Sequence, residues 1–245
     1  MVQFAKAKSS GSRTKRQLAV EAEELKRREE DLKLRERAIA AREAALPGDR
    51  TPNWPKCKPL VFHSIAEDIP AGSQRMVRMT YYGWYLLGLA YVFNWVALMV
   101  VLIDDFDGAG NTSLSFGLAT LMMVIGIPIS FAGWYRPLYH GARSGKSSLF
   151  LWFFFTFGIH ILLCLFWALG IPSTGSGGFI IGLKAFSKDA STSGAFCLTG
   201  TFVWMTNVVY GVIRIYKAHQ VYLGRGLSSS SAKREVAATA AAASV

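Results

Sequence analysis

Four uncharged apolar segments constrain the fold of this chain more than any other feature of its sequence. They contain none of its 27 Lys and Arg residues and none of its 16 Asp and Glu residues. The segments are Tyr82–Ile103, Leu114–Trp134, Leu149–Ile171 and Ala195–Ile213. Each is 19 to 23 residues long, and about 20 apolar residues cross the hydrocarbon core of a bilayer as a helix. The sequence therefore predicts an all-α membrane protein with four transmembrane helices and excludes a single soluble globular domain.

The charges between these segments predict the orientation of the chain. The first loop, 104–113, carries three aspartates and no base, whereas the second, 135–148, carries Arg136, Arg143 and Lys146 and no acid. Basic residues favour the cytosolic side of a membrane. We therefore expect both termini and the second loop in the cytosol, and the other two loops on the opposite side. The third loop opposes this arrangement, because it has two lysines and one aspartate.

Outside the spans the chain divides into segments of distinct composition. Residues 1–16 are basic and Ser-rich, which is typical of disorder. No apolar core follows them, so we expect no cleavable signal peptide, and the first span then acts as an uncleaved anchor. A charged helix, a Pro-rich cytosolic linker, the four-span domain and a disordered cytosolic tail are predicted at 17–46, 47–81, 82–213 and 214–245.

The segment 17–46 has the composition of a charged helix with one apolar seam. It contains neither Gly nor Pro, and Pro47 ends it. Apolar residues recur there at intervals of seven, at Leu18, Leu25, Leu32, Ile39 and Leu46. This spacing predicts an amphipathic, coiled-coil or partner-binding helix, with a solvated single helix as the alternative. Because only one heptad position is apolar, we expect weak or regulated pairing and a weak homo-oligomer.

Three polar residues within the predicted spans permit two interpretations, a transport pathway or hydrogen bonds between helices. They are Asn94, His160 and Asn207. The spans contain no acid or base and no pair of Gly- or Pro-broken helices, which favours hydrogen bonding. A small transporter or channel subunit is kept as the alternative function. In the second span Gly126 and Ser130 flank Pro128, which favours close approach of a neighbouring helix and a kink.

No catalytic or metal-binding pattern is present in the sequence. It lacks a phosphate-binding loop, a nucleophile elbow, a zinc-protease motif and a Cys-x-x-Cys pair. The four histidines are far apart and fall in different predicted layers, and three cysteines do not form a disulfide framework. We therefore expect no enzymatic activity, no cofactor, no metal site and no nucleic-acid partner.

Aromatic and basic residues alternate where the second span meets the predicted cytosolic loop. They are Trp134, Tyr135, Arg136, Pro137, Tyr139, Arg143 and Lys146. Trp and Tyr prefer the membrane interface, and Arg side chains there reach lipid phosphates. Two interpretations remain open at this point. One is a site for anionic lipid, and the other is an ordinary aromatic belt followed by a loop that only controls topology.

Three stretches of the sequence resemble the secretory carrier membrane proteins, the four-span SCAMP family. The first runs from Asn53-Trp54-Pro55 through Ile65–Pro70 to the Gln74–Tyr82 entry of the first span. The second is Trp134–Tyr139, in its four-span context. The third and weaker stretch joins Gly170-Ile171-Pro172 with Val221-Tyr222 and Gly224-Arg225-Gly226. The resemblance covers about Asn53–Gly226.

The resemblance implies a role in exocytosis and endocytosis. Members of this family are found on trans-Golgi, secretory and recycling vesicles, on endosomes and at the plasma membrane. Their loop between spans two and three is associated with phosphoinositides, which points to Trp134, Tyr135, Arg136, Pro137 and Tyr139, with Arg143 and Lys146 adding charge. Trafficking proteins are the expected partners of the N-terminal helix.

The chain also departs from the family pattern. Asn-Pro-Phe repeats, which bind endocytic EH domains, are absent from the sequence. Gly133 and His140 stand where the family usually has a Cys and a base. Two rivals follow from the residues alone: the transporter or channel subunit, and a passive cargo adaptor that works through the N-terminal helix.

Overall fold

The computed structural model describes residues 17, 20–32, 51–56 and 58–243, and the chain forms two compact units, Met1–His63 and Ser64–Val245. In the first unit residues 20–32 are helical (α1). The predicted pairing of acid before base at i,i+4 occurs there between Glu24 and Arg28, at 2.9 Å. Both side chains of this ion pair are exposed, so it contributes only a few tenths of a kcal/mol, about 0.3–0.5.

The Asn53-Trp54-Pro55 motif closes a short loop in the same unit. Trp54 and Val61 form an isolated antiparallel bridge. The side chain of Asn53 accepts a hydrogen bond from the His63 N–H at 2.7 Å and donates one to the His63 carbonyl at 3.2 Å. An amide that holds both polar groups of one residue fixes the ends of this loop together.

The second unit is helical throughout its regular structure, and no β-strand occurs among residues 64–243. Its elements are α2 (Ile65–Asp68), α3 (Ala71–Asp104), α4 (Thr112–Ser130), a π-helical turn (Phe131–Tyr135), α5 (Arg136–Ser144), α6 (Ser147–Leu169), α7 (Phe179–Phe186), α8 (Ser191–Gly224) and α9 (Ser229–Ala243).

The prediction of four apolar helices is confirmed. The helices long and apolar enough to cross a membrane are α3, the continuous run Thr112–Ser144, α6 and α8. The central helix pairs are α3 with α8, α6 with α8 and α3 with α4. Since each crossing reverses direction, the start of α3, α5 and the end of α8 lie at one end of the bundle, called here the basic end.

The helices extend beyond the predicted spans, because helical structure does not stop at the edge of the hydrocarbon layer. α3 begins directly after Pro70, and α8 continues to Gly224. The loop predicted at 135–148 is mostly helical, and the tail predicted to be disordered from residue 214 contains the end of α8 and all of α9. The Ala-rich composition of α9 explains part of this difference, since Ala has the highest helix propensity.

At the opposite end of the bundle, Asn94 on α3 holds the loop after α6. Its Nδ2 donates to the Gly175 carbonyl at 2.9 Å, and its Oδ1 accepts from the Gly177 N–H at 3.0 Å. Asn111 caps α4 by accepting from the Leu114 N–H at 2.8 Å. Ser193, at the start of α8, donates from its hydroxyl to Asp104 Oδ2 at 2.6 Å. Buried polar groups are therefore paired at this end.

Two prolines explain the π-helical turn within the second spanning helix. Pro128 interrupts the ladder of α4, because proline has no N–H to donate. The next turn is wider, with the Arg136 N–H donating to the carbonyl of Phe131, five residues back. Pro137 cannot donate to the carbonyl of Gly133, and Trp152 Nε1 on α6 donates to that carbonyl at 3.2 Å instead. Wide turns of this kind are often found at functional sites.

Candidate functional site

The π-helical turn directs two aromatic residues into the bundle. Trp134 is 3% exposed and Tyr135 is 0% exposed. The Trp134 ring packs on α6 against Phe157 and His160, with centroids at 4.9 and 5.2 Å. The Tyr135 ring lies 5.2 Å from that of Tyr81 on α3. These contacts join three spanning helices at the basic end.

Tyr139 connects α5 to the short helix α2. Its hydroxyl donates to Asp68 Oδ2 at 2.7 Å and accepts from the Ser64 N–H at 3.1 Å. Arg143 Nη1, one turn further along α5, lies 3.7 Å from the same carboxylate oxygen. The Asp68 side chain is 1% exposed, and a carboxylate buried this deeply needs such compensation. These four residues form what we call the α2–α5 dock.

The basic end is also fastened by Arg225, directly after α8. Its Nη1 donates to the Ala142 carbonyl at 2.8 Å, and its Nη2 donates to Ser73 Oγ at 2.6 Å. One guanidinium therefore bridges the ends of α5, α3 and α8. Burial lowers the pKa of Arg225 from its ordinary value. The Gly224-Arg225-Gly226 motif places this side chain where the helices converge.

Glu235 on α9 caps the start of α6. Its Oε1 accepts from the Ser147 N–H at 2.9 Å, and its Oε2 accepts from the Ser148 N–H at 2.9 Å and hydroxyl at 2.8 Å. Burial acts to raise the pKa of Glu235, but these hydrogen bonds and the charge of Lys146 outweigh it, so the pKa is lowered from its ordinary value. An anion at a helix N-terminus also interacts favourably with the helix dipole.

We expect the docking of α9 to weaken in acid. Because the pKa of Glu235 is lower in the folded chain, its stabilising contribution is full above the ordinary Glu pKa and is lost as the pH falls through the folded value. Glu235→Gln should remove about 1 kcal/mol of this docking at neutral pH. Hydrogen exchange of the α9 amides measures both effects. Exchange that is as slow in Glu235→Gln as in the parent chain would contradict the prediction.

The structure separates the sequence-predicted lipid-binding residues into two groups. Trp134, Tyr135, Pro137 and Tyr139 are buried, so these side chains cannot contact a lipid headgroup in this conformation. Arg136 and Lys146 are exposed, and Arg143 is partly exposed, with 30% of its side chain accessible. The aromatic residues therefore hold α5 in place, and the bases face outward around it.

Polar residues within the spans take part in packing. Asn94 uses both polar atoms of its amide in the loop contacts described above. The Asn207 amide donates to the Val203 carbonyl of its own helix at 3.0 Å. His160 lies beside Trp134 and within 3.7 Å of Cys164 Sγ. These contacts support the hydrogen-bonding interpretation of the polar residues.

Two residues of the predicted apolar seam fall on described parts of α1. Leu25 is 61% exposed and Leu32 is 58% exposed, so both are accessible to a partner. Leu18, Ile39 and Leu46 lie outside the described residues, and pairing through this seam stays a prediction. Among residues 17, 20–32, 51–56 and 58–243, no group of three His, Cys, Asp or Glu side chains is placed to hold a metal ion.

Comparisons with known proteins point to one family. The sequence profile of the SCAMP family matches residues 51–225. The chain is 33% identical over 177 residues to secretory carrier-associated membrane protein 5 of Oryza sativa subsp. japonica, a match that covers 67% of this chain and 61% of that protein. It is 31% identical over 184 residues to secretory carrier-associated membrane protein 5 of Homo sapiens, covering 75% of this chain and 76% of that protein.

A third relative extends the comparison. The chain is 34% identical over 170 residues to secretory carrier-associated membrane protein 4 of Arabidopsis thaliana, covering 64% of this chain and 62% of that protein. The match thus spans about three fifths of the two plant relatives. No solved structure matches the chain. The matched region includes α2, the four spanning helices and Arg225, and it ends just before α9.

Proposed function

The chain belongs to the SCAMP family, and we propose that it acts in vesicle trafficking as an integral component of post-Golgi and recycling carriers. The names of its relatives place those proteins on secretory carriers. On this proposal the protein cycles between the trans-Golgi network, endosomes and the plasma membrane, in exocytosis and endocytosis. Its basic end faces the cytosol, because Arg and Lys outnumber acids there.

The observation that carries the proposed mechanism is the outward-facing charge of a rigidly held α5. Arg136 and Lys146 are exposed, while the buried Trp134, Tyr135 and Tyr139 fix the helix that carries Arg136. Fixed cations bind phosphate groups without first losing the conformational freedom of a flexible loop. We propose that these bases, with Arg143, gather phosphoinositides or other anionic phospholipids at docking sites, and that α1 recruits trafficking proteins.

Arg136→Ala tests the lipid part of this proposal. We expect the full-length chain, held in nanodiscs of neutral lipid, to bind phosphoinositide-containing vesicles about fivefold more weakly, because each base near a membrane contributes about 1 kcal/mol. Flotation of the vesicles measures the binding. Lys184→Ala, which removes an exposed charge at the opposite end, is the matched control.

The outcomes separate lipid binding from trafficking. Equal binding by Arg136→Ala and Lys184→Ala, or equal binding to neutral vesicles, would overturn the lipid mechanism. Imaging of the tagged full-length chain against Golgi, endosome and plasma-membrane markers tests trafficking itself. A static signal on another organelle would contradict the carrier proposal and favour the transporter alternative.

A further inference from the structure

A basic cleft lies between α3 and α8 at the basic end, on residues that the proposed function does not use. It encloses about 370 Å³. Its wall comes from the first turns of α3 and the last turns of α8, and includes Gly72, Arg75, Met79, Arg214, Lys217 and Val221. Three of the lining side chains are cationic and none is acidic. A pocket with this lining attracts an anion.

The cations of the cleft are not neutralised by the described part of the protein. No carboxylate among those residues forms an ion pair with Arg75, Arg214 or Lys217. The Nε of Arg214 is buried and makes no hydrogen bond to any described residue. A buried donor without a partner costs about 1–3 kcal/mol, so an acceptor that enters the cleft would recover part of this free energy.

The position of Arg214 is fixed by the neighbouring helix. Its guanidinium lies over the ring of Tyr210, 5.1 Å from the centroid. The Tyr210 hydroxyl in turn donates to the Met79 carbonyl on α3 at 2.7 Å. A cation held on an aromatic ring whose hydroxyl is anchored across the cleft loses little freedom when a ligand binds.

The cleft lies at the level of lipid headgroups. Arg75 precedes the uncharged segment 82–103 by seven residues, and Arg214 directly follows the segment 195–213. A shallow groove of about 340 Å³ continues from Tyr210 along α8 into the apolar part of the bundle. Its lining is otherwise almost wholly apolar: Phe202, Met205, Thr206, Val209 and Ile213. This groove matches the acyl chains of a lipid whose headgroup occupies the cleft.

We propose that the cleft binds one anionic phospholipid whose phosphorylated headgroup carries more than one negative charge. Arg75, Arg214 and Lys217 contact the phosphates, and the acyl chains follow the groove along α8. This site is independent of the surface around Arg136, since the two share no residue. It would hold a single lipid of the surrounding bilayer and so bias the composition of the membrane around the protein.

The test uses the full-length chain in nanodiscs of phosphatidylcholine with a few per cent of a phosphoinositide, and native mass spectrometry counts the retained lipid. Lys217→Gln and Arg214→Gln should each reduce retention at least about fivefold. Arg78→Gln is the matched control, because it removes an exposed base from α3 that does not line the cleft. Arg136→Ala should leave retention unchanged, which separates this site from the proposed function.

A variant that keeps every charge tests the cleft itself. A Cβ on Gly72 meets no atom within 4 Å, so Gly72→Leu places its side chain in the cleft without strain, and it should lower retention as much as Lys217→Gln. Unchanged retention, or an equal loss in Arg78→Gln, would reduce the site to diffuse surface charge and overturn the proposal. Soluble inositol phosphate should not displace the lipid, and displacement would overturn the role of the acyl groove. Thermal unfolding of each variant confirms that it is folded.

Discussion

Gly178→Ala is expected to destabilise the folded chain by about 3–4 kcal/mol. An added Cβ would lie 2.5 Å from the Ala168 carbonyl oxygen, 2.6 Å from the Gly170 nitrogen and 2.7 Å from the Trp167 carbonyl oxygen. All three are backbone atoms at the end of α6, where no side chain can rotate away. The end of α6 and the loop held by Asn94 must then separate. Thermal unfolding of the purified protein in detergent measures the loss.

Gly158→Ala is the control for this substitution. It adds the same methyl group within α6, where a Cβ meets no atom within 4 Å. The change should be neutral or should stabilise the helix by about 0.5–1 kcal/mol, because Ala loses less backbone entropy than Gly. If Gly178→Ala unfolds at the same temperature as Gly158→Ala, the close approach of the two backbone segments is wrong.

The four spans were predictable because their physical cause is local. An uncharged run of about 20 residues crosses a bilayer as a helix whatever its neighbours do. The ends of those helices were not predictable from hydropathy, since Arg75 and Arg214 lie in helical turns outside the apolar layer. The fold class therefore followed from composition, whereas the basic end, where the candidate sites lie, depended on contacts between distant segments.

The aromatic residues of the second span show where sequence reasoning stopped. Trp and Tyr at a predicted interface are expected both in an aromatic belt and in a packed helix junction. Trp134 and Tyr135 are buried because the π-helical turn directs them inward. The spacing of Pro128 and Pro137, which flank this turn, was the available signal, and the sequence analysis used Pro128 only to predict a kink.

Two partners of the basic end are invisible in the sequence because they are far away along it. Asp68 meets Tyr139 across 71 residues, and Glu235 meets Ser148 across 87. The tail that carries Glu235 is rich in Ser and Ala, a composition that predicted disorder. No local pattern indicates that an acid in such a tail caps a helix, so this contact required the structure.

Tyr139→Phe is expected to lower the free energy of unfolding by about 2 kcal/mol, since hydrogen bonds to charged groups contribute about 1.5–3 kcal/mol. The change removes the hydroxyl that donates to Asp68 at 2.7 Å and keeps the ring that packs on the bundle. Tyr82→Phe is the matched control, because Tyr82 is 53% exposed on α3. Equal unfolding of the two variants would contradict a stabilising role for the α2–α5 dock.

A double-mutant cycle with Asp68→Asn identifies the source of this loss. If the hydroxyl acts mainly through the carboxylate, the two changes together should cost less than the sum of the single effects, with a coupling of about 1–2 kcal/mol. The same dock fixes the helix that carries Arg136, so Tyr139→Phe should also weaken vesicle binding, and Arg136→Ala in that background should lose less than it does alone. Fully additive losses in vesicle binding would mean that the bases act as diffuse charge, independent of how α5 is held.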